Sequence, residues 1–289
     1  MKAAPFDYVA PDTIEEALEH LSDKAGDCSV LAGGQTLVPL LALRMATPSV
    51  LIDINRIAAL SGVGRADGST RIGATTRQNE ALAAGEVGRH VPALAKALRF
   101  VGHHQTRNRG TIGGSIALGE PAAECPATVL ALGAVVEARS TRGVREIPAE
   151  NFYLGPYTTA LEMDEMITAV RFPDWPAGAI TVVHEVARRP GDFAMVGLVC
   201  AFAAEDGQVS RAGIGWFGMG PQPMRSRAAE AAMVGRRLSA ADMREIAQLA
   251  VSETDPLDDA QADGAYRRTV GARIFERVVG EALSTGRAT

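Results

Sequence analysis

Apolar residues along this chain alternate between two periodicities, and the alternation lays out its elements. Near the start, Ile14, Ala17, Leu18 and Leu21 recur at helical spacing behind Asp12 and Thr13, either of which can cap the helix with Glu15 or Glu16 three residues on. A turn near Gly26 leads to Cys28-Ser29-Val30-Leu31-Ala32, a short apolar run predicted as a buried strand that enters Gly33-Gly34-Gln35-Thr36. Leu37 to Arg44 is helical in pattern, with Pro39 tolerated in the first turn. Val50 to Ile54 is an apolar, β-branched strand. Asp53 within it is expected to fix a neighbouring loop with an inward carboxylate. From Ile57 to Gly68 the residues are small and Gly-rich, which predicts a mobile boundary between subdomains.

Farther on, Arg71 to Thr76 is predicted as a strand, and Gln78–Ala84 and Pro92–Val101 as helices. His103 and His104 follow. A histidine pair suggests a metal or acid–base role, but no third ligand lies at suitable spacing, so a polar role at a helix C-terminus is expected. Thr106 to Pro126 contains a second diglycine, Gly113–Gly114, behind Thr111 and Ile112, and ends in Glu120 and Glu124 beside prolines. It is expected to be a turn-rich loop. Val129–Leu132 and Val135–Val136 resume a strand-like pattern, as does Ile167–Phe172 after a helical turn at Met163–Met166. The polar span Pro173 to Gly178 holds several turn formers and predicts a linker. Beyond it, Asp206-Gly207 signals a hairpin between two apolar strands. Ser239 with Asp242 forms a capping box, and Asp263 starts a final amphipathic helix through Val270, Ile274, Val278 and Leu283.

Composition narrows the function classes. The 289 residues are 47% hydrophobic and 22% charged with net charge −5, an ordinary globular profile without the basic stripe a nucleic-acid partner needs. Cys28, Cys125 and Cys200 are too scattered for a disulfide framework and cannot supply an iron–sulfur cluster. No apolar run is long enough to span a membrane and the start lacks a signal-like segment, so a cytoplasmic protein, or one folded before export, is expected.

A strand, a glycine bend and a helix start form a device for anions, because glycine lets backbone N–H groups come close to a ligand. Here the spacing is neither G-x-G-x-x-G nor a Walker loop, and a plain tight turn stays open for each bend taken alone. Two diglycine bends in one domain without Rossmann spacing favour a flavin-type dinucleotide, with the bends as opposite walls of one site.

These residues resemble a known family. The stretches AGGQTLVPLLALR, LIDINRI, RNRGTIGGSIA with its EPAAECPA tail, and RRPGDFAMV are similar to those of the FAD-binding medium subunits of molybdenum hydroxylases, the group that includes the medium chains of carbon monoxide dehydrogenase and of quinoline- and nicotine-type dehydrogenases and, more distantly, the flavin domain of xanthine dehydrogenase. The resemblance implies an α+β fold. An FAD-binding domain of two α/β subdomains (1–177, divided near 57/58), of the vanillyl-alcohol-oxidase/xanthine-dehydrogenase type, precedes a C-terminal α+β domain (178–289). It implies that Ala32, Gly33, Gly34, Gln35 and Thr36 hold the pyrophosphate of FAD through backbone amides. Thr111, Gly114 and Ser115 would face them, with Ile112 near the isoalloxazine. Glu124 would contact the ribityl or phosphate region, and Gly191-Asp192-Phe193 would meet the ring from the other domain. Leu37, Val101, Gly110 and Ile167 are further implied contacts. Relatives often carry Ser at Thr36, Asn at Ser115, Asp at Glu124 and an aromatic such as Tyr at Phe193.

The implied function is electron transfer: FAD in this chain receives electrons from a small partner subunit with 2Fe–2S clusters and passes them to an external acceptor. A large subunit would hold the molybdenum cofactor, and relatives suggest a dimer of heterotrimers. No catalytic residue is expected in this chain. The alternative is a self-sufficient FAD-dependent oxidoreductase, which would need an acid or base at the ring; His103, His104 and Tyr157 are the available suppliers.

Overall fold

The computed structural model describes residues 2–286. The N-terminal part opens with three parallel strands, Asp7–Val9 (β1), Cys28–Leu31 (β2) and Val50–Asp53 (β3), in the order β1-β3-β2. The helix Ile14–Asp23 covers the sheet with Ala17, Leu18 and Leu21, capped as expected by Thr13, whose Oγ1 accepts from the amide of Glu16 at 3.2 Å.

A second sheet is antiparallel. It contains Val63–Ala66 (β4), Ser69–Gly73 (β5), Val135–Ser140 (β6) and Gly143–Pro148 (β7). After a small hairpin, Tyr153–Gly155 (β8) and Thr158–Thr159 (β9), Met166–Pro173 (β10) completes it in the order β4-β5-β10-β6-β7. The glycine-rich span from Ile57 to Gly68 is therefore structured: β4 pairs with β5 from Val63 to Ala66. Backbone pairing offsets what its small side chains do not supply.

Beyond the span 174–179, Ile180–Val186 (β11), Val196–Glu205 (β12), Gln208–Phe217 (β13) and Met224–Arg225 (β14) form an antiparallel sheet backed by C-terminal helices. The β12–β13 hairpin turns at Asp206 and Gly207, both at positive φ (51° and 77°), which suits a two-residue turn matched to strand twist. Ser239 and Asp242 form the expected capping box. The end of the chain is not one continuous helix. Gly264–Ile274 passes through a π-helical stretch, Phe275–Val279, before Gly280–Gly286.

One helix joins the two halves. Glu124–Leu132 is buried along its whole length and lies against β13, so close that a Cβ at Gly213 would sit 1.9 Å from the Ala131 carbonyl oxygen and one at Gly215 2.3 Å from that of Ala127. The strand-like pattern of Val129–Leu132 belongs to this helix. An all-round apolar run has no face to betray its period, so buried helix and buried strand read alike.

Candidate functional site

The first diglycine bend leaves β2 and runs into the helix Leu37–Leu43. Gly34 has φ +69°, the left-handed region that glycine enters without strain. The backbone amides of Gly33, Gly34, Gln35 and Thr36 donate to no acceptor among the described residues. The bend therefore presents consecutive unbonded N–H groups, a concave donor surface for an anion.

The second diglycine is not in a loop. It is the first turn of the helix Ile112–Leu118, capped by Thr111, whose Oγ1 accepts from the Gly114 amide at 3.1 Å. The amides of Ile112 and Gly113 donate to Thr76 and Ala74 carbonyls at 3.0 and 2.9 Å. Its N–H groups are thus occupied by the fold itself, and the wall offers the cavity a smooth glycine surface and the Ser115 hydroxyl instead.

The two bends touch. A Cβ on Gly33 would lie 2.4 Å from the Arg109 carbonyl oxygen and 2.9 Å from Gly110 Cα; one on Gly114 would lie 3.9 Å from the Ala32 Cβ. A polar chain holds the seam. Asp53 Oδ2 accepts from Tyr8 at 2.5 Å and its Oδ1 from the Asn55 amide at 2.9 Å. Asn55 Nδ2 donates to the Ala32 carbonyl at 2.8 Å. Arg77 donates to Asn55 Oδ1 at 2.7 Å with one arm and to the Arg109 carbonyl at 2.5 Å with the other. Burial raises the Asp53 pKa, but the hydrogen bonds from Tyr8 and Asn55 outweigh it and leave the carboxyl below its ordinary value. Asp53 is thus the loop-fixing carboxylate expected of it.

Between the walls lies a cavity of about 600 Å³, a size suited to a cofactor. Ala32, Gly33, Gly34, Gln35, Thr36, Leu37, Val101, Gly110, Thr111, Gly114, Ser115, Glu124, Ile167, Asp192 and Phe193 all line it. Ile112 does not: its side chain is fully buried in the core beneath, so it cannot lie against a flavin ring. The helical start of this segment turns Ile112 inward while Gly114 and Ser115 face the cavity.

The C-terminal domain closes one side. Gly191 comes so near His103 that a Cβ there would be 2.7 Å from the imidazole ring, and Phe193 beside it is 57% exposed. His103 lines the cavity, and His104 bonds to Asn79 at 2.9 Å instead. Neither ends a helix; His103 precedes and His104 begins the helix His104–Arg109. Tyr157 does not line the cavity, and its hydroxyl donates to Glu120 Oε2 at 2.7 Å. Among the described residues no cluster of three metal-ligating side chains occurs, and no helix is long and apolar enough to cross a membrane.

Glu124 starts the joining helix and is 6% exposed. Burial raises its pKa to about 8, with the nearby Glu185 adding to the rise and Arg107 opposing it. Burial favours the protonated form, which can donate a hydrogen bond as well as accept one. Glu185, on β11, is raised to about 7 by burial.

Arg77, Asn55 and Gln78 were not singled out by sequence reasoning, and Glu120 only as an end of the second glycine stretch. Asn55 follows a strand, Arg77 and Gln78 start a helix and Glu120 follows one, places where polar residues are common and which give no further signal.

Two family models match end to end. "FAD binding domain in molybdopterin dehydrogenase" covers residues 4–175, and "CO dehydrogenase flavoprotein C-terminal domain" covers residues 181–282. The chain belongs to the FAD-binding family of molybdopterin dehydrogenases. Among its relatives, this FAD-binding chain is 38% identical over 290 residues to the 6-hydroxypseudooxynicotine dehydrogenase complex subunit alpha of Paenarthrobacter nicotinovorans, covering 100% of this chain and 98% of that one. It is 33% identical to the carbon monoxide dehydrogenase medium chain of Hydrogenophaga pseudoflava, covering 96% of each. A solved structure of carbon monoxide dehydrogenase from that organism superposes with a TM-score of 0.95 at 34% identity, covering 98% of this chain and 99% of its own. Quinoline 2-oxidoreductase from Pseudomonas putida 86 superposes at 0.92 with 31% identity, covering 99% of both. The α+β fold, with an FAD-binding part followed by a C-terminal part, is that of these proteins.

Proposed function

We propose that this chain is the FAD-carrying electron-transfer subunit of a multi-subunit molybdenum hydroxylase. In this reading a small partner with 2Fe–2S clusters delivers electrons, and a large partner with the molybdenum cofactor acts on the substrate. The assembly is a dimer of heterotrimers in the cytoplasm. The observation that carries the reading is the meeting of the two diglycine bends, with unbonded amides on one side and a smooth glycine face on the other.

The residues fit the group. A diphosphate, rich in acceptors, suits the amides of Gly33 to Thr36, where the absence of a Cβ on Gly33 leaves the backbone accessible. Gly114 and Ser115 form the facing wall. Glu124, protonated, offers a hydrogen bond to a hydroxyl or carbonyl within the cavity. Asp192 and Phe193 border the cavity from the C-terminal domain, so the site is completed by both parts of the chain, which we divide at 177/178. When bound, FAD supplies the one- and two-electron chemistry. The protein binds it, fixes its orientation and limits water.

The test is purification of the native protein through this chain. Flavin together with two further chains that carry iron and molybdenum supports the proposal. A lone yellow chain that turns over a small molecule contradicts it.

A further inference from the structure

Gln78 is the first residue of the helix Gln78–Ala83 and is 4% exposed, yet its side chain makes no hydrogen bond among the described residues. Its Oε1 is sealed from solvent without a partner. Its main chain is fixed, with the amide donating to the Gly110 carbonyl at 2.9 Å. The side chain lines the cavity. An unpaired buried carboxamide is costly, on the order of 1–3 kcal/mol for an unsatisfied group, and a leucine or methionine would fill the space without that cost. Because Oε1 is sealed, a partner from outside the chain can reach the carboxamide only through Nε2.

Its orientation follows from its neighbour. Oε1 lies against Gly110, where a Cβ would come within 2.5 Å of it. A Cα–H is a weak donor, so it suits the oxygen and not the amide nitrogen. Nε2 makes no hydrogen bond and is not sealed, which leaves it open toward the cavity. Gly110 is also the residue whose Cα would meet a Cβ on Gly33 at 2.9 Å. Gln78 therefore reaches the cavity at the seam between the two walls, on the side where Gly110 meets Gly33.

We infer that Gln78 is a cofactor-binding residue whose Nε2 donates a hydrogen bond to a phosphate oxygen of the dinucleotide held at the seam. This rests on the FAD reading above. Gln78 complements the backbone donors of the first bend from the side of the second. The second wall thus contributes one polar donor despite having its own amides occupied. Arg77, the preceding residue, ties the walls together, so donor and seam are set by the same turn of chain.

The test uses the full-length chain stripped of flavin, with FAD affinity measured by quenching of flavin fluorescence and folding followed by the apo melting temperature. Gln78→Met is nearly isosteric and removes the donor. It is expected to weaken FAD binding about 10- to 100-fold, the range for one hydrogen bond to a charged group, while the apo melting temperature holds or rises because an unpaired buried group is gone. Gln78→Glu keeps the shape but brings a carboxylate toward phosphate, and is expected to weaken FAD more than Gln78→Met does. If Gln78→Met is too unstable to purify, Gln78→Glu alone decides. FAD affinity within twofold of wild type in either variant overturns the inference. A wild-type chain that takes up no FAD overturns the functional reading itself, and the inference with it.

Discussion

The guanidinium of Arg77 donates to the carbonyl oxygen of Arg109 at 2.5 Å, while its other arm holds Asn55, which in turn holds Ala32. One side chain thus fixes the spacing of two backbone bends drawn from segments that lie far apart in the sequence. Arg77→Met keeps the aliphatic stem and removes both donors. It is expected to destabilise the apo chain by about 1.5–3 kcal/mol, the cost of losing charge-assisted hydrogen bonds, and to weaken FAD binding. Chemical denaturation and FAD titration of the variant check this. Arg77→Lys cannot fork to both partners and is expected to recover only part of the loss.

Gly33→Ala places a Cβ 2.4 Å from the Arg109 carbonyl oxygen, a backbone atom that cannot swing away. The bends must separate. Overpacking of this kind costs about 1–3 kcal/mol, and flavin retention is expected to be lost in a chain that still folds. Far-ultraviolet circular dichroism and flavin absorbance of the purified variant give the two readings.

Gly114→Val is expected to abolish flavin retention by a different route. Its Cβ would crowd Thr111 Oγ1 at 2.7 Å and break the helix cap, and its methyl groups would enter the gap facing Ala32. Thr111→Val removes the cap, at a cost of about 1 kcal/mol, together with a hydroxyl of the cavity lining, and is expected to lose less flavin than Gly114→Val does. Equal loss of flavin in both variants would assign the effect to the cap instead of to cavity space.

Glu124 gives a pH dependence with a definite sign. Its pKa is raised by folding from 4.5 to about 8. The folded state therefore binds its proton more tightly than the unfolded state does. The stabilising contribution is full below pH 4.5 and is lost as pH rises through about 8. Glu124→Gln removes that titration. The difference in apo stability between Glu124→Gln and wild type should shift in favour of the variant from pH 5 toward pH 8. Parallel stability curves for the two proteins would contradict the assignment. Glu185, raised to about 7 by burial, works in the same direction and adds to the rise at Glu124, so Glu124→Gln reads the Glu124 titration together with its coupling to Glu185.

The sequence made the elements legible where a local signal existed. Thr13, Ser239 with Asp242, and Asp206-Gly207 each did in the structure what their side chains or dihedrals favour. Legibility failed where tertiary burial hides the pattern. The joining helix shows no amphipathic period because every side of it is covered, so Val129–Leu132 looks like a strand. The helix Gly85–His90 is masked by two glycines that normally interrupt helices. The second diglycine, rich in turn formers, is helical because Thr111 caps it and Ala74 and Thr76 anchor its first amides.

The site was legible to the same degree. Glycine pairs are visible in a sequence, and the cavity they line was expected. The burial that raises the Glu124 pKa is not visible, nor is the helical phase that turns Ile112 into the core. Arg77, Asn55 and Gln78 act through contacts across long sequence separations that no periodicity encodes.

The measurement that bears most directly on the account is the flavin content of the purified full-length chain after incubation with FAD. Saturable uptake of about one FAD per chain is expected for a single site between two walls. A correctly folded chain that stays colourless and does not quench flavin fluorescence would contradict it.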